Sequence, residues 1–339
     1  MGFTSERILI TGSSGQIGTN LGLALMDAGR IVQGVDCREN TWTERIATMV
    51  YDLRRPLPIE HGAYDVVVHL AAHAKVHELV QNPARALENV AMTFNVLEYC
   101  RAHGLPLIYA SSREVYGDVR RFLTEESQAD FNLTESPYSA SKLAGEALVY
   151  SYARCYGLRY LVFRFSNVYG RYDTDLERME RVIPLFTRRI AAQQPITVYG
   201  EKKTLDFTYV DDCVRGIMAG VDLLASGTVF NETINLAYGQ GNTLARVAWL
   251  IGEALGVRPQ MTIEPARVGE VTHYVANIGK ARALLGYEPQ VPLEEGIRLA
   301  VDWAYEHIEP GATDASGRTN GAGLADEGHD YSVFEGAGR

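Results

Sequence analysis

The chain has little cysteine and no long uninterrupted apolar segment. Its four cysteines, Cys37, Cys100, Cys155 and Cys213, are scattered and form neither a Cys-x-x-Cys motif nor a Cys/His cluster, so the sequence supports neither a disulfide framework nor a zinc site. We therefore expect reduced, mostly packed thiols and a cytoplasmic protein. No apolar stretch approaches the ~20 residues that cross a bilayer, and the first residues lack a signal-peptide pattern, so no membrane association is expected.

Positive charge is also scarce, with 42 acidic against 32 basic side chains and a net charge of −10. This balance argues against a general nucleic-acid surface, although a local basic cluster could still bind an anionic ligand. Only five of the cations are lysines, so most are arginines that can bind phosphate or carboxylate through two hydrogen bonds. The 339 residues, 46% of them apolar, are enough for a large core and a smaller lobe.

The first half of the chain alternates short apolar runs with helical patterns. The runs are apolar at nearly every position, as expected of parallel strands covered on both faces. The alternation predicts an α/β fold, a doubly wound parallel sheet of Rossmann type with a smaller C-terminal α/β lobe. Predicted strands cover residues 7–11, 31–36, 49–51, 66–70, 107–111, 160–164, 195–199 and 234–237. Predicted helices cover residues 16–28, 83–102, 137–156, 181–192, 211–224, 243–255 and 276–285.

A glycine-rich turn follows the first predicted strand and opens a helix. Gly12, Gly15 and Gly18 form a G-x-x-G-x-x-G pattern, and Gln16 and Ile17 lie inside it. Glycine permits the sharp turn and a close approach of the backbone to a pyrophosphate, and the helix N-terminus offers N–H groups to the phosphates. In this strand–turn–helix context the pattern predicts a dinucleotide site that includes all five residues.

The residue at the end of the second predicted strand indicates which dinucleotide binds. Asp36 lies about 20 residues after the glycines, where a carboxylate accepts hydrogen bonds from the adenosine ribose. A carboxylate would repel a 2′-phosphate, which favours NAD over NADP, although the nearby Arg38 leaves NADP open. Asp52 and Leu53, at the end of the third strand, are expected near the adenine.

Ser112, Tyr138 and Lys142 are the candidate reacting group. Tyr138 and Lys142 are four residues apart on one predicted helix, which Ser136 caps and Pro137 opens, and therefore share a face. An adjacent ammonium favours the phenolate, so we expect a lowered pKa for Tyr138, as a general base requires. Ser112 ends a strand, at the edge where parallel sheets bind ligands.

A second Tyr-x-x-x-Lys match, Tyr199 to Lys203, lies in a segment that passes from a strand into a turn. Gly200 interrupts it, so the two side chains would not share a helix face. We interpret this match as fortuitous.

A series of motifs runs through residues 6–308 in a fixed order. They are Thr11-Gly12-Ser13-Ser14-Gly15-Gln16-Ile17-Gly18, His69-Leu70-Ala71-Ala72, Asn89-Val90 with Thr93 and Asn95, Ser111-Ser112-Arg113-Glu114-Val115-Tyr116-Gly117, Tyr138-Ser139-Ala140-Ser141-Lys142, Arg164-Phe165-Ser166-Asn167-Val168-Tyr169-Gly170, Asp206-Phe207-Thr208-Tyr209-Val210-Asp211-Asp212 and Arg267-Val268-Gly269-Glu270. With these motifs the chain resembles the extended short-chain dehydrogenase/reductase family, in its nucleotide-sugar epimerase, dehydratase and decarboxylase branch.

The resemblance implies roles for further residues. Cofactor contacts are expected from Leu70, Ala71, Ala72, Asn89 and the backbone around Phe165, and UDP contacts from Asn167, Arg267, Thr197 and Tyr199. It also implies a homodimer that pairs helices 83–102 and 137–156. The expected NAD-binding domain is 1–170 with returning segments near 205–238. Residues 171–204 and 239–310 are expected to bind the UDP-sugar, and 311–339 to form a flexible tail.

The branch shares a first step, in which Tyr138 removes the sugar 4-hydroxyl proton while C4 gives a hydride to NAD. Ser112 would bond the reacting oxygen, and Lys142 would hold the nicotinamide ribose. Dehydratases of the branch place Asp-Glu after the hydroxyl residue, where this chain has Arg113-Glu114, so dehydration is disfavoured. Decarboxylases carry an arginine at the position of Leu205, so decarboxylation is disfavoured too.

We therefore expect a UDP-sugar 4-epimerase, with UDP-glucuronate as the favoured substrate. The reason is cationic capacity near the pocket, since arginine suits a sugar carboxylate. The cations are Arg113, Arg171, Arg178 and Arg181. The predicted substrate contacts are completed by Arg113, Glu114, Arg171, Arg181 and Val182. These arginines could instead pair with the acidic residues at 173, 175, 177 and 180, which leaves UDP-glucose or UDP-galactose as the alternative. A non-enzymatic NAD-binding sensor is the alternative from another class, against which the intact reacting group argues.

Overall fold

The computed structural model describes residues 6–58, 64–118, 123–173, 181–267 and 269–307. The expected tail at 311–339 lies outside them. The strands are β1 (Arg7–Thr11), β2 (Ile31–Asp36), β3 (Thr48–Val50), β4 (Val66–His69), β5 (Leu107–Ser112), β6 (Tyr160–Phe165), β7 (Asn167–Tyr169), β8 (Ile196–Tyr199), β9 (Thr204–Tyr209), β10 (Glu232–Leu236), β11 (Gly241–Thr243), β12 (Met261–Glu264) and β13 (His273–Tyr274). The helices are α1 (Gln16–Asp27), α2 (Val76–Gln81), α3 (Ala84–His103), α4 (Pro137–Tyr156), α5 (Val182–Ala191), α6 (Val210–Ala225), α7 (Leu244–Leu255), α8 (Gly279–Leu285) and α9 (Leu293–His307).

Seven of the strands form one parallel sheet in the order β10-β6-β5-β4-β1-β2-β3. The order reverses between β1 and β4, which is where doubly wound sheets open a crevice at the carboxyl ends of their strands. The predicted α/β class and Rossmann-type sheet are confirmed. The topology therefore places the candidate site beside β1, β4 and β5.

The central strands are buried on both faces. Ile8 and Ile10 belong to one core, while Leu9 between them belongs to the other. Successive side chains of a strand point to opposite faces, so an apolar residue at every position supplies both layers. This is why continuous apolar runs, rather than alternating ones, were the correct signal for these strands.

The remaining strands make small pairings outside this sheet. β9 pairs with β7, β11 and β13, and β8 pairs with β12. The chain then returns through β10, which adds to the edge of the large sheet beside β6. Among the described residues, no helix is long and apolar enough to cross a membrane.

Most predicted boundaries differ from the observed ones by one or two residues, but the helix predicted at 276–285 begins later. Ala276 forms a bridge with Thr124, and its N–H donates to Asp206 Oδ2 at 3.2 Å. Asn277 Oδ1 then accepts from the N–H of Gly279, the first helical residue, at 2.9 Å. Extended pairing therefore replaces the first predicted turn.

Of the cysteines, Cys100 and Cys213 are buried, whereas Cys37 and Cys155 are exposed, so the thiols are less packed than expected.

Candidate active site

A cavity of about 1390 Å³ lies at the carboxyl ends of the central strands. Its wall is formed where β1, β4, β5 and β6 end, with additional residues from α4 and α5. Predicted site residues in the wall are Gly12, Gly15, Gln16, Ile17, Gly18, Asp36, Asp52, Leu53, Leu70, Ala71, Ala72, Ser112, Arg113, Glu114, Tyr138, Lys142, Phe165, Asn167, Arg181 and Val182. The fold thus gathers most of the predicted cofactor and reaction residues around one space.

The glycine turn has no room for side chains. Gly12 has φ +76°, and a Cβ there would lie 2.7 Å from the Ala71 nitrogen. A Cβ on Gly18 would lie 2.1 Å from the Gly12 carbonyl oxygen, so α1 packs directly against the turn. This close packing brings bare backbone and the N-terminus of α1 to the cavity, as a dinucleotide pyrophosphate requires.

Asp36 lies beside this turn. Its Oδ2 accepts from the Ser14 N–H at 3.0 Å and its Oδ1 from the Arg38 N–H at 3.3 Å, and the residue is 8% exposed. The Arg38 guanidinium donates to the Ser14 carbonyl at 3.3 Å. The carboxylate is therefore fixed at the position where an adenosine ribose is held in this type of fold. Turn and carboxylate together fit NAD.

Sequence reasoning missed a charged network at the rim of the cavity. Arg54 donates through Nε to Asp52 Oδ1 at 2.9 Å and through Nη1 to Glu88 Oε1 at 3.0 Å. The hydrogen bond from Arg54 lowers the pKa of Asp52 to about 2. His73 Nε2 lies 2.7 Å from Glu88 Oε2, which extends the network. The two pairs of Glu88, with Arg54 and with His73, join residues 34 and 15 positions apart, so no local sequence pattern signalled them.

Asn89 is placed differently from the prediction. Its Oδ1 accepts from the His73 N–H at 2.8 Å, and its Nδ2 donates to the His73 carbonyl at 3.0 Å and to Ser141 Oγ at 3.1 Å. It therefore lies behind the described lining, where it holds the loop after β4 against α4. The neighbouring Leu70, Ala71 and Ala72 do line the cavity, as expected.

The reacting group sits at the start of α4 for local reasons. Ser136 and Ser139 form a reciprocal capping box, with Pro137 at the first helical position. The 3.6-residue period then places Tyr138 and Lys142 on one face, toward the end of β5. Ser112 caps the short 3-10 turn Arg113–Tyr116 and contacts the same cavity. The structure thus brings the three predicted catalytic residues together.

The electrostatics of this group differ from the prediction. Burial raises the pKa of Tyr138 to about 12, against the lowering effect of a hydrogen bond with Ser112. The Lys142 ammonium donates to the Ala110 carbonyl at 2.8 Å and lies 5.8 Å from the Tyr138 ring centroid. Desolvation lowers the pKa of Lys142 to about 8. The expected lowering of the Tyr138 pKa is therefore wrong for the protein alone, because burial of the phenol outweighs the nearby cations.

The wall beyond Ser112 carries a buried ion pair. Arg113 Nη2 lies 2.8 Å from Glu114 Oε1, and the two side chains are 12% and 5% exposed. Burial raises the pKa of Glu114, although Arg113 opposes the shift. Arg113 Nη1 and Glu114 Oε2 have no hydrogen-bond partner among the described residues. Unpartnered buried polar atoms are costly, so this pair is a candidate for substrate contact.

A second polar group links the glycine turn to the start of α5. Arg181 Nη1 donates to Gln16 Oε1 at 2.7 Å, and Arg181 Nε lies 3.4 Å from Asp173 Oδ1. Burial raises the pKa of Asp173 to about 7. Asn167 Nδ2 donates to the Asp206 carbonyl at 2.8 Å. Asp173 was predicted only as an ion-pair partner, yet it lines the cavity.

Four predicted substrate residues lie away from the described cavity lining. Arg171 pairs with Asp211 at the surface. Thr197 Oγ1 lies 3.3 Å from Thr262 Oγ1. The Arg267 guanidinium carbon lies 3.9 Å from the centroid of the Tyr199 ring. Arg178, which was expected only to add positive charge near the pocket, lies outside the described residues. The interpretation of Tyr199 and Lys203 as fortuitous agrees with the structure, since Lys203 instead donates to Glu270 at 2.7 Å.

Comparison with known proteins identifies the family. The family model described as "NAD dependent epimerase/dehydratase family" matches residues 8–237, more than half of the chain. The chain belongs to this family. A UDP-glucuronate 4-epimerase of Thermodesulfobacterium geofontis is 29% identical over 326 residues, a match that covers 89% of this chain and 97% of that protein.

Solved structures of the family share the whole fold. A UDP-glucose 4-epimerase of Thermotoga maritima with UDP-glucose is 29% identical, with a TM-score of 0.80, and the match covers 89% of this chain and 100% of that one. A UDP-glucuronic acid 4-epimerase of Bacillus cereus in complex with UDP-glucuronic acid and NAD is 25% identical, with a TM-score of 0.78. That match covers 89% of this chain and 99% of the other. The resemblance found in the sequence is confirmed.

The close packing of Gly18 on Gly12 gives a direct test of the dinucleotide site. Gly18→Ala should weaken NAD binding about tenfold or more, because the new methyl group must displace the turn. Gly22→Ala is the matched control, since a Cβ there meets the flexible side chain of Ile46 at 2.6 Å and not the turn. Calorimetric titration with NAD measures both variants, and equal affinity of Gly18→Ala and wild type would contradict the assignment.

Proposed function

We propose that the protein is an NAD-dependent UDP-sugar 4-epimerase that interconverts UDP-glucuronate and UDP-galacturonate through a transient 4-keto sugar. The observation that carries this proposal is that Ser112, Tyr138 and Lys142 line the same cavity as the glycine turn. Family membership and epimerase relatives support the reaction class. The choice of UDP-glucuronate as the substrate is supported by the relatives named above and by the cation of Arg113.

In the proposed reaction, some side chains transfer a proton and others orient the reacting groups. Tyr138 takes the proton of the sugar 4-hydroxyl and returns it, and Ser112 hydrogen-bonds the same oxygen. Lys142 holds a positive charge near the phenol ring and would bind the nicotinamide ribose of NAD. Bound NAD supplies a reversible acceptor for the C4 hydride. Because burial raises the pKa of Tyr138 to about 12 despite the neighbouring arginines, the phenol reacts only when further positive charge near it offsets that burial.

Asp36 and the glycine turn are the groups that would hold NAD. For the sugar nucleotide we propose the lobe formed by residues 171–204 and 239–310, with residues 1–170 and the segments near 205–238 as the cofactor domain. Arg113 supplies the cation for a sugar carboxylate. A cytoplasmic location remains a prediction of the sequence.

A neutral hexose, as in UDP-glucose and UDP-galactose, is the second candidate. Its support is the 2.8 Å pair with Glu114, which already neutralises Arg113. Decarboxylation remains disfavoured, because the buried Leu205 provides no cation near the cavity. Dehydration also remains disfavoured, because Arg113 occupies the position at which the dehydratases of the branch have an acid.

Tyr138→Phe tests the reaction. Removal of the phenolic oxygen should lower kcat by about a hundredfold or more, because the phenol is the group proposed to take and return the 4-hydroxyl proton. NAD affinity should stay close to that of wild type, which calorimetric titration checks. A sensor without enzymatic activity would behave the same with and without this oxygen, and unchanged turnover of UDP-sugars would refute the assignment.

Arg113→Met tests the substrate. NMR of product mixtures should show UDP-galacturonate formed from UDP-glucuronate by the wild type. The variant should raise the KM for UDP-glucuronate about tenfold or more, because a charged hydrogen bond is lost. Arg282→Met, which removes a surface pair with Glu288, is the control. Turnover confined to UDP-glucose and UDP-galactose would select the neutral hexose, and formation of only a pentose nucleotide would contradict epimerisation.

The homodimer stays a proposal, with α3 and α4 as its interface. Leu87 and Phe94 of α3 are 74% and 46% exposed, and they lie on the same face of the helix about two turns apart. Exposed apolar groups in line along one helix are typical of an interaction surface.

Leu87→Glu with Phe94→Glu should convert a dimer into a monomer, because charge would be buried without a partner. Light scattering after size-exclusion chromatography measures the mass. Trp249→Glu, at an exposed position of α7, is the control. A monomeric wild type, or a doubly substituted protein that remains dimeric, would reject this interface.

A further inference from the structure

A buried carboxylate that the proposed reaction does not use lies one helical turn beyond Lys142 on α4. Glu146 is 2% exposed. Its Oε1 accepts from Ser111 Oγ at 2.5 Å and Arg164 Nε at 2.8 Å, and its Oε2 from Arg164 Nη2 at 2.7 Å and Tyr150 OH at 3.0 Å. The carboxylate is therefore fully bonded and has one fixed orientation.

These bonds attach α4 to β5 at two successive residues. Lys142 donates to the Ala110 carbonyl at 2.8 Å, and Glu146 accepts from the next residue, Ser111. Ser112 follows directly and ends β5. The two attachments thus fix the separation between the helix that carries Tyr138 and the strand that carries its serine partner.

Arg164 balances the charge of Glu146 from the neighbouring strand. It lies opposite Ser111 in the register between β5 and β6 and is 4% exposed. Its Nη1 also donates to Tyr116 OH at 3.1 Å and to the Glu126 carbonyl at 2.7 Å. Burying such a pair costs desolvation, and apolar residues often stabilise a core as well or better. Stability alone is therefore a poor reason for an ion pair at this position.

Glu146 lies one helical turn from Lys142 on the same face of α4, and its negative charge favours the protonated ammonium. The other titratable groups near this ammonium are Tyr138 on α4, the Tyr109 ring of β5 at 5.3 Å and His69 of β4. Burial, with Lys142 nearby, lowers the pKa of His69 to about 3, so that ring is neutral. Desolvation lowers the pKa of Lys142 to about 8, and Glu146 opposes this effect.

We propose that Glu146 is a positioning residue for the epimerase reaction, which keeps Lys142 protonated and holds Ser112 in register with Tyr138. Arg164 acts as its counter-ion, and Tyr109, Tyr116, Tyr150 and Tyr160 are the remaining titratable groups around it. The inference rests on the proposed function, since it assigns a role toward the residues of that reaction.

The test is the pH profile of kcat for Glu146→Gln, which keeps the shape of the side chain and removes its charge. Without the anion, Lys142 loses its proton at lower pH. The fall of kcat at high pH, the basic limb of the profile, should therefore begin about one pH unit lower. The loss relative to wild type should therefore be about tenfold at pH 9 and small at pH 6.5, with KM nearly unchanged. Tyr150→Phe, which removes a neutral bond to the same carboxylate, should leave the limb in place.

Glu146→Gln leaves Arg164 buried without its counter-ion and could fail to fold. The variant Glu146→Gln with Arg164→Met removes both charges together and should move the basic limb in the same direction by a smaller amount, because the loss of the Arg164 cation offsets part of the shift. An unchanged limb in either folded variant, with activity lost equally at every pH or not lost at all, would overturn the positioning role. A wild type without UDP-sugar turnover would instead refute the proposed function, and the inference with it.

Discussion

The separation between α4 and the carboxyl end of β5 is the constraint on which the site depends. Tyr138 can share a hydroxyl proton with Ser112 only if the helix and the strand keep a fixed distance. Two polar attachments set that distance, from Lys142 to Ala110 and from Glu146 to Ser111. A small residue is also needed at the contact, because a Cβ on Gly145 would lie 2.0 Å from the Tyr109 hydroxyl. Packing and hydrogen bonding therefore specify the same geometry.

Three buried carboxylates in or behind the cavity wall each pair with an arginine. Glu146 with Arg164, Glu114 with Arg113 and Asp173 with Arg181 each combine an acid with an arginine. Paired burial limits the desolvation cost of each group and leaves Lys142 as a cation whose protonation depends on its surroundings. A substrate anion that enters such a site must compete with a protein carboxylate for its arginine. The difference in binding free energy between a charged and a neutral sugar is then a small difference between large electrostatic and desolvation free energies.

Much of the fold and of the reacting group could be predicted from the sequence because the signals are local. Continuous apolar runs marked β1 and β5, and the cap formed by Ser136 and Pro137 marked the start of α4 at the correct residue. The position of Asn89 could not be predicted, because its bonds join segments 16 and 52 residues apart. The prediction of a lowered pKa for Tyr138 was wrong for a related reason. The sequence shows a neighbouring lysine but not the degree of burial, and burial of the phenol raises its pKa.

The last strand of the large sheet has a consequence for biosynthesis. β10 joins β6 only after the chain has passed through β7, β8 and β9. A growing polypeptide of 230 residues therefore already carries the glycine turn and Tyr138 but leaves β6 as an open edge. Unpaired edges invite association with other chains. Completion of the large sheet must thus await translation of the segment between β6 and β10.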